Sequence, residues 1–324
     1  MKHAIVLLAL VLSLAGCSES LDPASRLASS RVLGAYFVHD DDPTRANPYP
    51  GESGVLELFL ADPGAPRPRS YVMIACLPAP VSFGTPFCRA APFAAVQVEA
   101  DPGDPVVPPA LPLTAPSEAE LGETTALLVL GAVCTGSPVN PELLALLSGT
   151  GEPPEVLEVC EDPEADGTLF NYFVNVEQGD PPNTHPTIAS IELDGAPFDA
   201  VSPADAAMLG CAGDPAYPEV RADGEEHHLT LRVPASARED YETIDPDTEE
   251  PVVVREELQV GRFATAGDVK GTFGWIDGDL LENVLRWEAP EKADPAGELV
   301  RFVFTLRDGR GGFAHARREL CLVP

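Results

Sequence analysis

Two adjacent histidines, His227 and His228, follow Glu225 and Glu226 in GEEHHLTL, a gathering of side chains that bind metals. In an extended chain, however, neighbouring side chains point to opposite faces, so these two imidazoles cannot readily share one ion. The stretch reads as the exposed start of a strand, and His185 and His315 stand isolated from other ligand-type residues. Calcium asks for several oxygens and tolerates irregular geometry. The oxygen-rich candidates are Asp40-Asp41-Asp42, the run from Asp162 to Asp166, Asp245/Asp247/Glu249 and Asp277/Asp279/Glu282. None has the glycine and terminal glutamate of an EF-hand loop. IDPDTEEP around Asp245 reads equally as a turn in which aspartates bond the local backbone. GxSxG, HExxH, GxGxxG and P-loop patterns are absent. Among 52 acidic residues no pair stands out as a catalytic acid and base, so no enzyme is expected and no cofactor beyond calcium comes into question.

Cysteine is the other reactive type, at positions 17, 76, 88, 134, 160, 211 and 321. The first differs from the rest in its surroundings. Met1, Lys2 and His3 precede an apolar run from Ala4 to Leu12, which ends in small residues at Ala15 and Gly16. That run is too short to span the ~30 Å of a bilayer core as a helix, so it reads as an export signal. Leu14-Ala15-Gly16-Cys17 resembles the lipobox of bacterial lipoproteins. The resemblance implies cleavage before Cys17, a diacylglycerol thioether on its sulfur and acylation of the new amine. Several acyl chains on one residue hold a bilayer stably where one alone binds marginally. Ser18 in place of aspartate implies, by the same resemblance, the outer membrane rather than inner-membrane retention.

Setting Cys17 aside leaves six cysteines, an even number suited to an oxidising compartment. Six permit 15 connectivities, and spacing alone does not choose among them. Pairing between sequence neighbours gives Cys76–Cys88, Cys134–Cys160 and Cys211–Cys321. A metal site is the alternative, but no CxxC pair occurs. A formal charge of −32, from 20 basic and 52 acidic residues, argues against nucleic acid and anionic membrane surfaces as direct partners.

The elements that must position these residues are short and β-prone. RVLGAYFV, GVLELFL, YVMIAC, FAAVQVEA, TTALLVLGAVC and LFNYFVNVE are each bounded by turn-forming residues. In VLELFL, Leu56, Leu58 and Leu60 share one face, and Glu57 marks the less buried side with Val55 and Phe59. One stretch reads as helix: NPELLALLSG, with Asn140 as N-cap, Pro141 at the first helical position and Gly149 past the end. Residues 101–118 hold six prolines and read as an irregular surface insertion, or as a linker between two half-domains, since each proline removes a backbone donor. A second series of strands follows QGDPPNTHP: TIASIELDG, HHLTLRVP, EELQVGRFAT, NVLRWEAP, ELVRFVFTLRDGRGG and FAHARRELCLV.

Strands without alternating helices give an all-β fold of two antiparallel β-sandwich domains. The expected organisation is a signal at 1–16, a lipidated flexible tether at 17–30, an N-terminal sandwich at 31–182 and a C-terminal domain at 183–324. The C-terminal part resembles an immunoglobulin-like sandwich of the cadherin or PKD sort found in myxobacterial lipoproteins. It does so through NTHP (183–186), RFATAGD (262–268), LRWEAP (285–290) and the VFTLRDGRGG hairpin (303–312). Through SRVLGAYFV and PGESGVLELFL the first domain more weakly resembles the same lipoproteins. The resemblance implies no catalytic residue. The expected function is a non-catalytic outer-membrane interaction or structural module. Its partners are the membrane through Cys17 and an envelope protein or polysaccharide. The alternatives are a lipid-anchored hydrolase of envelope polymers and a calcium-dependent adhesion module. Binding is expected at the inserted loop 101–123 and at the hairpin tip 307–312.

Overall fold

The computed structural model describes residues 23–80, 86–147, 158–179, 181–200, 209–245 and 247–324. The signal segment, Cys17 and Gly149 lie outside them. Alternating apolar residues build two sandwiches in succession. In the first, β1 (Arg31–His39), β2 (Ser53–Ala61) and β5 (Ala110–Thr114) form a sheet in the order β1-β2-β5. It faces a second sheet in the order β4-β3-β6-β7, from β3 (Arg69–Cys76), β4 (Ala94–Val98), β6 (Ala126–Thr135) and β7 (Asp166–Asn175). Leu56, Leu58 and Leu60 point together into the core with Met73, Val129 and Val174, as the period of two requires.

β3 and β6 are buried on both faces. Their outer face is covered by excursions that two disulfides hold down. Cys134–Cys160 secures the segment carrying the helix α2 (Pro141–Leu147), whose Leu143 packs on Val72 and Ala132. Asn140 caps that helix by accepting the Glu142 N–H at 3.0 Å. Cys76–Cys88 joins a cluster with Ile74, Leu128 and Leu130. The third bridge, Cys211–Cys321, ties a loop to the last strand.

The proline-rich stretch departs from its sequence reading. Residues 110–114 are a strand, and Glu118–Leu121 form a short helix, α1, with Ser117 and Glu120 as a capping box. Ala115 N–H donates to Glu52 O and Leu58 N–H to Pro109 O, so every second residue of this segment turns its backbone to β2. Pro112, opposite Val55, falls between those positions and lies on the outer strand of the sheet, where its missing N–H leaves no partner unsatisfied. Leu111 and Leu113, on either side, fill the core.

The second sandwich pairs two five-stranded sheets. One has the order β15-β17-β11-β8-β9, from β8 (Ser190–Leu193), β9 (Ala196–Pro197), β11 (Glu226–Arg232), β15 (Asp268–Val269) and β17 (Glu282–Glu288). The other has the order β10-β19-β18-β14-β16, from β10 (Glu219–Arg221), β14 (Leu258–Ala264), β16 (Phe273–Ile276), β18 (Glu298–Arg307) and β19 (Phe313–Val323). The hairpin β12 (Asp240–Ile244) and β13 (Pro251–Arg255) stands apart. Taking β8, β11, β17 and β15 as A, B, E and D, and β14, β18 and β19 as C, F and G, gives the strand order of an immunoglobulin sandwich. The pairing of β10 with β19 is parallel. At the core, fully buried Trp287 meets Phe302 edge to face at 5.1 Å and donates its indole N–H to Ala266 O.

Residues 23–30 are not free along their length. Leu27 is 1% exposed, its N–H donates to Ala264 O, and Ala264 N–H donates to Ser25 O. Because Leu111 lies in the core, Leu111→Ala is expected to cost about 2–5 kcal/mol in urea unfolding. Pro112→Ala should leave the midpoint nearly unchanged; equal, small effects would mean that residues 110–114 are a dispensable insertion.

Candidate functional site

The outer face of β1 and β2 packs on the outer face of β14, β18 and β19. Leu33, Phe59 and Ala61 meet Phe263, Val303 and Phe313 there, with Leu27 at the margin. Gly34 is required at this seam, because a Cβ would fall 2.2 Å from the Phe313 ring. Tyr36 stacks on Phe313 at 5.9 Å and donates to Glu57 Oε2 at 2.6 Å. Burial first, then that bond and the Glu57 charge, raise the Tyr36 phenol above its ordinary pKa.

The hairpin tip 307–312 lies in the seam and is not a free binding tip. Gly309 takes φ +80° and Gly311 φ +119°, which fold the tip tightly. Asp308 Oδ1 accepts the N–H groups of Arg310 and Gly312, each at 2.8 Å. The Arg310 carbonyl accepts from Asn47 and Asn175 of the first sandwich, at 3.0 and 2.6 Å. Its guanidinium bonds Glu239 and Glu256 and lies over the Tyr241 ring. Burial raises the Glu256 carboxyl despite that cation. Arg310 also stays high, because the bond and charge of Glu256 outweigh its own burial.

His185 and His315 are not isolated either. His185 Nε2 lies 2.9 Å from Phe37 O, and Nδ1 accepts the Phe313 N–H at 3.1 Å, so the ring proton belongs on Nε2. His315 stacks on Phe59 with centroids 3.8 Å apart. Burial lowers the pKa of both, and Arg317 adds to the effect at His315.

Beside the seam the sandwiches part into a cleft of about 1020 Å³. One wall is Ala314–Arg318 of β19, the other Leu58–Leu60 of β2, and Val106 and Val107 of the proline-rich segment border it. The hydrogen-bond register settles which atoms the β19 wall presents. Asp308 N–H bonds Gly312 O across the start of the β18–β19 pair, so residues 314, 316 and 318 continue that ladder. Residues 313, 315, 317 and 321 face away. Phe313 N–H is taken by His185 and Cys321 N–H by Pro218 O, whereas the N–H groups of His315 and Arg317 have no hydrogen-bond partner among the described residues. The cleft thus contains a sheet edge that is bare among the described residues.

Three arginines attend that edge in a protein of charge −32. Arg69, 7% exposed, pairs with Asp62, and its Nε has no partner among the described residues. Arg317 donates to Leu60 O at 2.8 Å and lies over Phe59. Arg318 donates to Phe198 O and Arg317 O. Burial lowers the pKa of Arg317 and Arg318, yet a guanidinium remains charged at neutral pH. Apolar walls, unpaired backbone donors and cations together can hold an extended anionic chain.

The metal candidates do not converge. His227 Nδ1 meets Asp194 Oδ2 at 2.7 Å with its ring near Trp287, while His228 is exposed beside Glu226. Asp42 bonds Thr44, Asp166 accepts Ser30 N–H, and Asp245 accepts the N–H groups of Asp247 and Thr248 in the turn between β12 and β13. Glu282 pairs with Arg232. Among the described residues no three of His, Cys, Asp and Glu gather as a metal site. The chain matches no protein-family model, and no curated protein is similar to it.

The seam should be sensitive to pH. A histidine whose folded pKa is depressed contributes stability that is present above its unfolded value, near 6.5, and lost as pH falls through the folded value. The melting temperature is therefore expected to drop between pH 7 and 5 more in the native protein than in His185→Gln. Parallel curves for the two would show that His185 does not carry the effect.

Proposed function

We propose that the protein is a non-catalytic binding module of the bacterial envelope, tethered to the outer membrane through acylated Cys17. Its inter-sandwich cleft takes an extended acidic segment of another envelope protein. The observation that carries this reading is the edge of β19 inside the cleft, bare among the described residues. Unpaired N–H groups at His315 and Arg317 can accept a further strand from a partner, and that backbone ladder supplies affinity. Arg317 and Arg318 supply preference for carboxylates along the strand. Apolar Phe59, Val106 and Val107 receive the side chains that alternate with them.

The length fits as well. Five residues of β19 line the cleft, an edge of about 17 Å at 3.4 Å per residue. Tethering suits such a role, because it confines receptor and partner to one surface and raises their effective concentration. The acidic exterior keeps unrelated anionic polymers away while the cationic cleft admits an acidic strand.

Two substitutions separate the anchor from the binding. Cys17→Ser should leave the body folded with its three bridges but move it from the membrane pellet to the soluble fraction; a variant that stays in the pellet refutes the lipid anchor. For the cleft, selection from a random peptide library should enrich acidic, β-prone sequences. Arg317→Pro removes an N–H that β18 does not use, so it should fold and lose this binding, whereas Arg317→Lys should retain most of it. Enrichment of peptides that bind Arg317→Pro equally well would sink strand addition, and selective binding of an envelope polysaccharide instead would replace the polypeptide.

A further inference from the structure

Sheet β10-β19-β18-β14-β16 has two borders, and the cleft takes only one of them. The opposite border carries a pair of exposed aromatics, Phe273 at 55% and Trp275 at 51% exposure, on the outermost strand β16. The register explains why they are outside. Ile276 pairs with Leu258 and lies in the core, so Phe273 and Trp275, paired with Gly261 and Gln259, project from the other face. That is also the face on which Leu27 packs with Phe263.

The same border receives the N-terminal segment. Arg26 bridges Ala264 in parallel, with Ser25 and Leu27 bonded to the side of β14 that β16 occupies further back. Arg262 N–H, two residues before Ala264, is already bonded to Thr272 O at the start of β16. At ~3.3 Å per residue, Ser25 therefore joins the sheet only ~7 Å along the edge from Thr272, next to Phe273. The turn from Pro23 to Arg26 and the bond from Arg31 to Ala24 O fix this junction. Six residues lead from Cys17 to Pro23, a reach of at most about 20 Å.

We propose that Phe273 and Trp275 rest in the lipid surface that the Cys17 acyl chains enter, so that the border at β16 faces the bilayer. This rests on the lipid-anchor reading above. The short reach keeps the β16 border near the membrane, and aromatic rings favour the region where acyl chains meet headgroups. The contact is apolar, as it must be for a body this acidic. β14, β18 and β19 separate this border from the cleft by about 14 Å, at ~4.8 Å per strand, so the cleft opens away from the bilayer.

The chain has two tryptophans, and Trp287 is fully buried, so Trp275 is the one that can report. Lipidated full-length protein would be reconstituted in phosphatidylethanolamine–phosphatidylglycerol vesicles, with and without brominated acyl chains. Trp275 emission should shift to the blue, be quenched by the brominated lipid and become shielded from acrylamide, relative to Cys17→Ser protein mixed with the same vesicles. Trp275→Phe should abolish the signal and Phe273→Ser should weaken it, both without loss of folding, since these side chains are half exposed. Protein held by the vesicles whose Trp275 is as accessible to acrylamide as in Cys17→Ser would overturn the orientation and leave the anchor standing. Cys17 found without acyl groups by mass spectrometry would overturn both.

Discussion

The relation between the sandwiches depends on one hydrogen-bonded plug, the tip of the β18–β19 hairpin, whose Asp308 and Gly312 are buried. Asp308 holds the tip in shape by accepting two backbone N–H groups from within it and a third hydrogen bond from Asn183 at 3.0 Å. The tip then offers the Arg310 carbonyl to the first sandwich and the Arg310 side chain to Glu239 and Glu256 of the second. A partly buried ion pair of this kind adds little net stability over a well-packed apolar substitute, but losing Arg310 strands the buried Glu256 charge. Its contribution is geometric. It fixes where β19 stands relative to β2, and the cleft is the space between those strands.

The seam and the cleft are consecutive parts of one interface. Near the plug, Gly34 lets the Phe313 ring approach β1, and the contact is dry and aromatic. Further along β19, His315 and Arg317 follow Phe313 on the face turned to the first sandwich, while Ala314 and Ala316 turn to the second sandwich's core. Arg317 reaches across to Leu60 O, beyond the last residue that β5 pairs on β2. Among the described residues the edge of β19 stays bare because β10 pairs only its last three residues. Bare edges are usually covered or charged against aggregation, and here the flanking arginines and recessed position limit that hazard.

Much of the strand content was legible because most core strands show apolar alternation or an unbroken apolar run. The face shared by Leu56, Leu58 and Leu60 and the alternation in HLTLRV are both found in the fold. Short edge strands were not legible. β15 and β16 bury one side chain each, and ALPLT looks like a breaker because which N–H groups the ladder needs depends on register with β2. The candidate site was less legible still. Loop 101–123 does border the cleft through Val106 and Val107, but the glycine-rich tip at 307–312, which reads as an exposed turn, is held by hydrogen bonds from residues more than a hundred positions away.

Sequence alone determined the class of fold and the positions of its turns, since side-chain period and turn chemistry are local properties. Neighbour pairing of the six cysteines after Cys17 also gives the bridges found, each short enough in sequence or close enough in the sheet to join segments that the strands bring together. The tertiary structure decided what each histidine meets, which backbone groups remain unpaired among the described residues and which strand borders are open. Those depend on the register between distant strands and on the packing of one sandwich against the other. A carbonyl or N–H is the same in every residue, and only the fold decides whether it finds a partner.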